Sequence, residues 1–116
     1  MQRSGWQIGL ADPSRAAPVF AALGDRTRLG IVAQLCRYGP QSTTRLTSHV
    51  NISRQAVTKH LSALEKAQIL QSSRAGRERV WALQQKRLEQ LNAYIQQISG
   101  EWDAALDRLR TMVEKK

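Results

Sequence analysis

The residues with the most chemistry to offer lie on one face of a single segment, SRQAVTKHLSALEKAQIL, between Ser53 and Leu70. At an advance of about 100° per residue, its apolar residues fall on one stripe and its polar residues on the opposite face. The apolar stripe consists of Val57, Leu61 and Leu64, with His60 and Ala67 at its margin. The polar face consists of Gln55, Lys59, Ser62 and Lys66, with Thr58 on its flank and Arg54 in the exposed first turn. A glutamine amide can bond an adenine edge at two points, and arginine or lysine can reach guanine or phosphate, so this face suits a DNA groove.

Two short helices are expected to position this face. Ser42 can cap a helix of about two turns, TTRLTSHV, in which Leu46 and Val50 lie on the same side and face inward. Ser53 can cap the next helix, which we expect over 53–67. So short a connection between two helices is typical of a helix-turn-helix, whose second helix, the recognition helix, enters the major groove.

A basic hairpin is expected directly after the recognition helix. From Ile69 the apolar pattern alternates, and LQSSRAGRERVWAL predicts two strands over 70–83 around a turn at Ala75-Gly76. A helix-turn-helix followed by such a hairpin, or wing, is the layout of a winged helix. Arginines of the wing are expected to bind phosphate, which fixes register without reading sequence. The candidate DNA contacts outside the recognition face are Thr44, Arg45, Ser53, Arg74, Arg77 and Arg79.

The charge balance points to an anionic partner. The chain of 116 residues, one domain by length, carries 18 Lys and Arg against 9 Asp and Glu, which gives a net charge of +9. Nine of the cations lie between Arg45 and Arg87, where only Glu65 and Glu78 oppose them. This balance indicates nucleic acid or an anionic membrane surface. No apolar run reaches the roughly 18 residues of a membrane span and no signal peptide is evident, so we expect a cytoplasmic protein. We expect no membrane partner, because a helix on a membrane surface would need its bulky apolar residues free, and here contact between two chains uses them better.

Two further helices are expected before the helix-turn-helix. The first lies within 13–23, with Pro18 as an alternative start, and Gly24 ends it. Asp25 can cap the second, which continues until Gly39-Pro40. Its inward residues are expected to be Leu29, Val32, Leu35 and Cys36.

One long helix is expected from about Lys86 to Lys116. At 1.5 Å per residue it would be about 45 Å long, which is more than a domain of this size can cover by itself. Its apolar residues step by three and four, and we expect them to contact a second copy of the chain rather than to form an intramolecular core. The predicted dimer interface consists of Leu88, Leu91, Ile95, Ile98, Trp102, Leu106, Leu109 and Met112, with Ala105 on the same stripe.

Cysteine and histidine offer little for metal binding or catalysis. The single cysteine, Cys36, excludes an internal disulfide and a thiolate-rich site within one chain, and it is expected to be a small buried residue. An intersubunit or redox role is the alternative. His60 lies near the apolar stripe and His49 ends the short helix, so packing or local bonding is expected for both. With no paired carboxylates, activated nucleophile or phosphate loop, we expect no enzyme.

Three segments, in this order and spacing, resemble the ArsR-type winged-helix repressors of bacteria and archaea: FAALGDRTRLGIVAQL, ISRQAVTKHLSALEKAQIL and SRAGRERVWAL. The resemblance covers about 19–83. It implies a mainly α fold with a small β-hairpin. It also implies a homodimer in which the first and last helices of two chains pack together and present two recognition helices to a pseudo-palindromic operator.

The metal ligands of that family are missing from the sequence. Its metal sensors carry a cysteine pair at the start of the third helix, or histidine and acidic ligands on the last helix. Here QSTTRLTSHV contains no cysteine and 86–116 contains no histidine. We therefore expect no metal and no other cofactor, and the effector is left open.

The sequence thus predicts a homodimeric, sequence-specific DNA-binding regulator that acts as a repressor. Its expected organisation is an N-terminal arm over 1–12, in which Trp6 and Ile8 could pack against the body, a winged helix-turn-helix over 13–84, and a dimerisation helix over 85–116 of the same domain. The alternative is a winged-helix module for protein or RNA without operator specificity. The recognition face argues against that alternative, because it lacks the aromatic residues that protein interfaces favour.

Overall fold

The computed structural model describes residues 12–114, so that nearly all of the predicted arm, including Trp6 and Ile8, lies outside the described residues. The fold is mainly α with a small antiparallel sheet, as predicted. The helices are α1 (Pro13–Leu23), α2 (Arg26–Tyr38), α3 (Thr43–Ser48), α4 (Arg54–Lys66) and α5 (Gln85–Glu114). The strands are β1 (Gln41–Ser42), β2 (Leu70–Ala75) and β3 (Glu78–Leu83).

Side-chain caps begin four of the helices. Asp25, Ser42 and Ser53 accept hydrogen bonds from the backbone N–H of the third residue of α2, α3 and α4, which confirms the three predicted caps. Asp12 caps α1 in the same way, at 2.9 Å from the N of Ser14. Because α1 begins there, Pro18 lies inside the helix and does not mark its start.

The sheet has the strand order β1-β3-β2, and all its pairs are antiparallel. Ala75 pairs with Glu78, so the tight turn consists of Gly76 and Arg77 and lies one residue later than predicted. Gly76 has a φ of 66°, the left-handed conformation that such a turn demands at its first central position. The two-residue strand β1, which the sequence pattern did not predict, holds the start of α3 against the wing.

The core forms where α4, α3 and the sheet meet. Val57, Leu61 and Leu64 of α4 have no exposed surface, which confirms the predicted apolar stripe. Leu46 of α3 is also buried, and Val50 packs against the same cluster. Burial of such side chains stabilises the fold by about 1.5–3 kcal/mol each relative to exposure, so α4 is fixed firmly by its inner side.

Helix α2 is rotated relative to the prediction. Ile31 and Leu35 are its buried residues, each about 2% exposed, whereas Leu29 is 52% exposed and Cys36 is exposed as well. On a helix, Leu29 and Cys36 lie more than about 100° from the centre of the stripe that Ile31 and Leu35 define. The predictions that Leu29 faces inward and that Cys36 is a small buried residue are therefore wrong.

Helix α5 belongs to the body of the chain only in its first half. Leu91 is 7% exposed and lies in the chain's own core, with Leu88 and Tyr94 packed against it. The ring of Tyr94 also contacts that of Phe20 on α1, with 5.7 Å between centroids. Leu88 and Leu91, predicted for a dimer interface, thus serve the intramolecular core, which corrects the prediction for these two positions.

Beyond Ile95, α5 leaves the body. The apolar side chains of this part of α5 are largely exposed. The structure is elongated, with extents of 67 × 38 × 24 Å. The exposed apolar residues, here called the α5 stripe, are Ile95, Ile98, Trp102, Leu106, Leu109 and Met112. Within the described residues, no helix combines the length and the apolar character needed to cross a membrane.

Candidate nucleic-acid interface

The outer side of α4 carries the candidate recognition face. While the inner stripe has no solvent exposure, all six predicted polar residues are exposed. They are Arg54, Gln55, Thr58, Lys59, Ser62 and Lys66. The structure therefore brings together in one row the amide, the hydroxyls and the cations that the sequence pattern placed on one side.

The hydroxyl of Thr58 is already engaged within α4. Its Oγ1 donates to the carbonyl oxygen of Arg54 at 2.9 Å. The hydroxyl hydrogen is therefore occupied, and the remaining lone pair can accept a hydrogen bond, for instance from an exocyclic amine of a base. Ser62 makes no such bond among the described residues and keeps both donor and acceptor capacity.

The end of α4 fixes where the wing begins. Gln68 adopts a φ of 63°, unusual for a residue with a side chain, and its N–H donates to the carbonyl of Glu65 at 2.9 Å. The N–H of Ile69 donates to the carbonyl of Leu64 at 3.0 Å, and both these side chains are fully buried. This pattern is a Schellman motif, which turns the chain sharply from the helix into β2. Arg87 of α5 supports the turn by donating to Gln68 Oε1 at 2.7 Å.

A surface network joins the start of α4 to the wing. Arg54 Nη1 donates to Thr44 Oγ1 at 2.8 Å, and Thr44 Oγ1 in turn lies 3.1 Å from Glu78 Oε2. All three side chains are at least partly exposed, so water competes with these bonds and each contributes little to stability. Their effect is to fix the direction in which the Arg54 guanidinium points.

A second network joins the end of α4 to the wing. Arg79 Nη1 donates to Ser72 Oγ at 2.7 Å, and Ser72 Oγ donates to Glu65 Oε2 at 3.0 Å. Glu65 and Glu78 are the two acidic residues of the basic segment, and each takes part in one of these networks. Sequence reasoning treated these two residues only as negative charges that oppose nine cations. Their isolation among those cations is the one signal that could have singled them out.

The wing concentrates three exposed arginines. Arg74 and Arg79 lie directly opposite each other in the β2–β3 pairing, and Arg77 is the second residue of the turn. Like charges on opposed residues repel each other, and a phosphate bound between them would remove that repulsion. The wing is thus better suited to an anion than to solvent alone.

The remaining predicted contacts are placed differently. Ser53 is exposed, but its Oγ accepts the N–H of Ala56 at 3.1 Å and so serves as the cap of α4. Thr44 acts through Arg54, as described above. Arg45 is exposed on α3 and lines a cleft with Gln41 and His49, rather than joining the row on α4.

A polar joint behind α4 holds the first helices against it. Arg28 Nε donates to His60 Nδ1 at 3.1 Å, so His60 makes a hydrogen bond to another helix rather than a local one. The backbone N–H of Arg28 donates to Asp25 Oδ2 at 3.0 Å and lowers the pKa of that carboxyl below its ordinary 3.8. Partial burial opposes this shift in pKa, and the nearby His60 imidazole adds to it.

No group of three or more histidine, cysteine or acidic residues that could hold a metal ion occurs in residues 12–114. Cys36 is exposed on α2 and is the only cysteine of the sequence. His49 lies just beyond α3, where its backbone N–H, not its imidazole, bonds the carbonyls of Leu46 and Thr47. The described residues therefore offer an exposed polar and cationic surface and no assembled ligand set for a metal.

Comparison with known proteins identifies the family. Residues 23–72 match the helix-turn-helix domain family. The HTH-type transcriptional regulator Rv2034 of Mycobacterium tuberculosis is 31% identical over 104 residues, which cover 90% of this chain and 91% of that protein. The HTH-type transcriptional regulator YuzN of Bacillus subtilis is 37% identical over 79 residues, covering 63% of this chain and 86% of that protein. An ArsR-like transcriptional regulator from Rhodococcus sp. RHA1 has a similar structure, with a TM-score of 0.70, 35% identity and coverage of 83% and 90% of the two chains.

The chain belongs to the ArsR-like family of helix-turn-helix transcriptional regulators. This is a family of DNA-binding regulators rather than of enzymes, and the family match ends inside β2. The matched residues include α2, α3 and α4 and therefore the whole candidate recognition face. The resemblance drawn from the three sequence segments is thus confirmed at the level of family and fold.

Proposed function

We propose that the protein is a homodimeric repressor that binds a pseudo-palindromic operator in double-stranded DNA. In this proposal, residues 13–84 form the DNA-binding part and residues 85–116 the dimerisation helix. Helix α4 enters the major groove, and the wing rests on the flanking backbone. Repression follows from occupancy of the operator, which excludes other proteins from the same DNA.

The observation that carries the proposal is the contrast between the two sides of α4. Its inner stripe is fully buried, whereas its outer face presents a bidentate amide, two hydroxyls and three cations to solvent. Glutamine and arginine can each bond a base edge at two points, and such a contact discriminates against a wrong base by about 1–3 kcal/mol. A surface that served only to keep the protein in solution would not need an amide and two hydroxyls in the same row as the cations.

The wing supplies affinity rather than sequence selectivity. Arg74, Arg77 and Arg79 are exposed near the tip of the hairpin, at a distance along the chain from the recognition face. Contacts from such arginines to phosphate strengthen binding to any duplex and make it depend on salt. Together with Arg54 and Lys66, they give each subunit enough cations to neutralise several phosphates.

The α5 stripe supports a homodimer. Trp102 is 66% exposed, Ile98 45% and Leu109 57% in the single chain. A continuous apolar stripe of this length on one helix is rare on a soluble monomer and is typical of a helix–helix interface. Two chains joined through α5 would present two recognition helices, which bind half-sites about one turn of DNA apart, near 34–36 Å.

The experiment that tests the proposal compares the promoter of the protein's own gene with a scrambled duplex of the same length. Binding is followed by fluorescence anisotropy at about 0.15 M salt, which suppresses nonspecific attraction. We expect the promoter to bind at least about a thousandfold more tightly than the scrambled duplex. Equal affinity for both duplexes would contradict a specific repressor and favour a protein- or RNA-binding winged helix instead.

A further inference from the structure

A cleft lies between α2, β1 and α3, and none of its lining residues belongs to α4. Its volume is about 390 Å³, within the range of roughly 300–1,000 Å³ that small-molecule sites occupy. It is lined by Gln34, Tyr38, Gln41, Arg45 and His49. Apart from Arg45, none of these residues belongs to the predicted DNA contacts, so DNA binding does not account for the cleft.

The walls of the cleft follow from helical spacing. Gln34 and Tyr38 are four residues apart on α2 and so lie on the same face, and Arg45 and His49 are related in the same way at the end of α3. Gln41 of β1 forms the floor, with only 7% of its surface exposed. Polar side chains of α2 and of the end of α3 thus border the cleft on two sides, with the buried amide of Gln41 between them.

That buried amide has an unsatisfied acceptor. Gln41 Nε2 donates to the carbonyl oxygen of Gln34 at 3.3 Å. Gln41 Oε1 is buried and accepts no hydrogen bond from any residue that the structure describes. A buried acceptor without a partner is costly and uncommon in folded proteins. Because Gln41 lines the cleft, a rotation of its terminal amide would turn this acceptor toward a donor from outside the chain.

The rim of the cleft is positively charged. Neither the guanidinium of Arg45 nor the imidazole of His49 has a hydrogen-bond or ion-pair partner within residues 12–114. Arginine binds a carboxylate through two parallel hydrogen bonds, and an adjacent imidazole can donate a further one. This end of the cleft therefore suits an anion.

An apolar cavity opens next to the cleft and shares Gln34 and His49 with it. Its volume is about 90 Å³, and its other lining residues are Gly30, Ile31, Leu46 and Val50. Tyr38, 64% exposed, also lines the cleft. The space between the buried amide and the cationic rim is thus bordered by apolar surface, which suits the body of an organic molecule.

We infer that this cleft binds a small organic anion that carries a hydroxyl or amine group on an apolar body. The hydroxyl or amine donates to Gln41 Oε1, the carboxylate pairs with Arg45 and His49, and the apolar body lies against Tyr38 and the neighbouring cavity. A compact hydroxy acid meets all three requirements at once. Inorganic anions lack the apolar body, and uncharged alcohols lack the partner for Arg45.

Binding in the cleft has a consequence for DNA that rests on the proposed function. Arg45 is a predicted phosphate contact, and a carboxylate bound to it competes with phosphate for the same guanidinium. Gln41 also pairs with Trp81 of β3, so an occupant that contacts Gln41 lies one strand away from the wing. The ligand and DNA therefore oppose each other, and by linkage each lowers the affinity for the other by the same factor.

The test of the site is a titration of the free, full-length protein with 4-hydroxybenzoate, followed by ¹H–¹⁵N NMR. We expect saturable shifts centred on the amides of the cleft, with a dissociation constant on the order of 1 mM for a ligand of about ten heavy atoms. Benzoate lacks the donor and 4-hydroxybenzyl alcohol lacks the anion, so both should bind at least about tenfold more weakly.

Variants separate the cleft from general anion binding. Arg45→Gln and Gln41→Leu should each weaken binding of 4-hydroxybenzoate at least about tenfold. Arg37→Gln, which removes the same charge from an exposed position on α2 outside the cleft, should leave it unchanged. Arg45→Gln changes an exposed residue and should not disturb folding, so it keeps the test valid even if Gln41→Leu unfolds. Shifts that do not saturate, or that respond equally to Arg37→Gln and Arg45→Gln, would overturn the site.

The effect on DNA is measured separately, by operator binding with and without saturating 4-hydroxybenzoate. We expect operator affinity to fall at least about threefold for the wild type and to stay unchanged for Arg45→Gln, which lacks the guanidinium for which ligand and phosphate compete. Since the NMR titration contains no DNA, failure of the ligand site is distinguishable from failure of DNA binding. Unchanged operator affinity at saturation would overturn the opposition between ligand and DNA.

Discussion

The guanidinium of Arg54, at the first turn of the recognition helix, donates a hydrogen bond from Nη1 to Thr44 Oγ1 on the preceding helix at 2.8 Å. Thr44 in turn bonds the carboxylate of Glu78 at the start of β3, 3.1 Å away. A cation of the candidate DNA surface is therefore linked, through the hydroxyl of Thr44, to a carboxylate that itself lies next to that surface. Phosphate approaching Arg54 would meet the negative charge of Glu78 at the same place.

The first prediction concerns that charge. Glu78→Gln keeps an acceptor for Thr44 but removes the negative charge, so affinity for random duplex should rise about three- to tenfold at low salt and less at high salt. Fluorescence anisotropy at two salt concentrations measures this. Glu101→Gln, the same change on exposed α5, is the control and should have a much smaller effect. Weaker binding by Glu78→Gln would indicate that Glu78 mainly orients Arg54.

The second prediction concerns the turn between α4 and the wing. Gln68 has a left-handed φ of 63°, a conformation that glycine adopts without strain but that costs about 1–2 kcal/mol for other residues. Gln68→Gly and Gln68→Ala both remove the acceptor for Arg87, but only the glycine variant relieves the strain. Gln68→Gly should therefore be more stable than Gln68→Ala by about 1 kcal/mol in urea unfolding at equal protein concentration. Equal stability would mean that the turn adapts to a side chain.

Local rules were enough to predict the helix-turn-helix. The caps at Ser42 and Ser53 and the apolar stripe from Val57 to Leu64 depend only on neighbours in sequence, and the structure has all of them. Helix α2 shows where such rules stop. Leu29 and Ile31 are both apolar, and only packing against the rest of the core determines which of them is buried.

Long-range contacts account for the other differences. The hairpin turn lies one residue later than predicted because the pairing of Leu70 with Leu83, not composition, sets its register. Strand β1 has two residues and no pattern of its own to detect. The networks through Glu65 and Glu78 join residues far apart in sequence, so spacing alone could place the exposed face of α4 but not the partners that orient its arginines.

The third prediction separates the two halves of α5. Trp102 is 66% exposed in the single chain, so Trp102→Glu should leave the fold intact but raise the dimer dissociation constant at least about thirtyfold, as removal of a central aromatic side chain does. Leu91 is buried, so Leu91→Ala should instead reduce the free energy of unfolding by about 2–5 kcal/mol. Light scattering and urea unfolding measure the two effects. A wild-type protein that is monomeric at micromolar concentration would refute the dimer proposal.

The fourth prediction concerns pH. The hydrogen bond from the Arg28 backbone lowers the pKa of Asp25 in the folded state below its ordinary 3.8, so the charged form stabilises the fold. This contribution is complete above the unfolded pKa and disappears as pH falls through the folded pKa. Asn can still cap α2 but carries no charge. The stability difference between wild type and Asp25→Asn should therefore be largest above about pH 5 and shrink below the ordinary pKa. A difference independent of pH would show that the carboxylate's charge is irrelevant.

The fifth prediction distinguishes reading of bases from attraction to phosphate. Gln55 is exposed on α4, and its amide suits an adenine edge, so Gln55→Ala should cost about 1–3 kcal/mol on the operator and little on random duplex.

Arg77, at the tip of the wing, should behave in the opposite way. Arg77→Ala should weaken binding to operator and random duplex alike, because an interaction with phosphate carries no sequence information. If each subunit neutralises three to five phosphates, the slope of log affinity against log salt should be on the order of −5 to −9 for the dimer. Arg77→Ala should reduce the steepness of that slope by about one unit for each phosphate that the dimer no longer neutralises.

Both substitutions, Gln55→Ala and Arg77→Ala, leave the buried stripe of α4 untouched, so circular dichroism should be unchanged. A Gln55→Ala variant that weakened both duplexes equally would place Gln55 on the backbone and leave base reading to Arg54, Lys59 and Ser62.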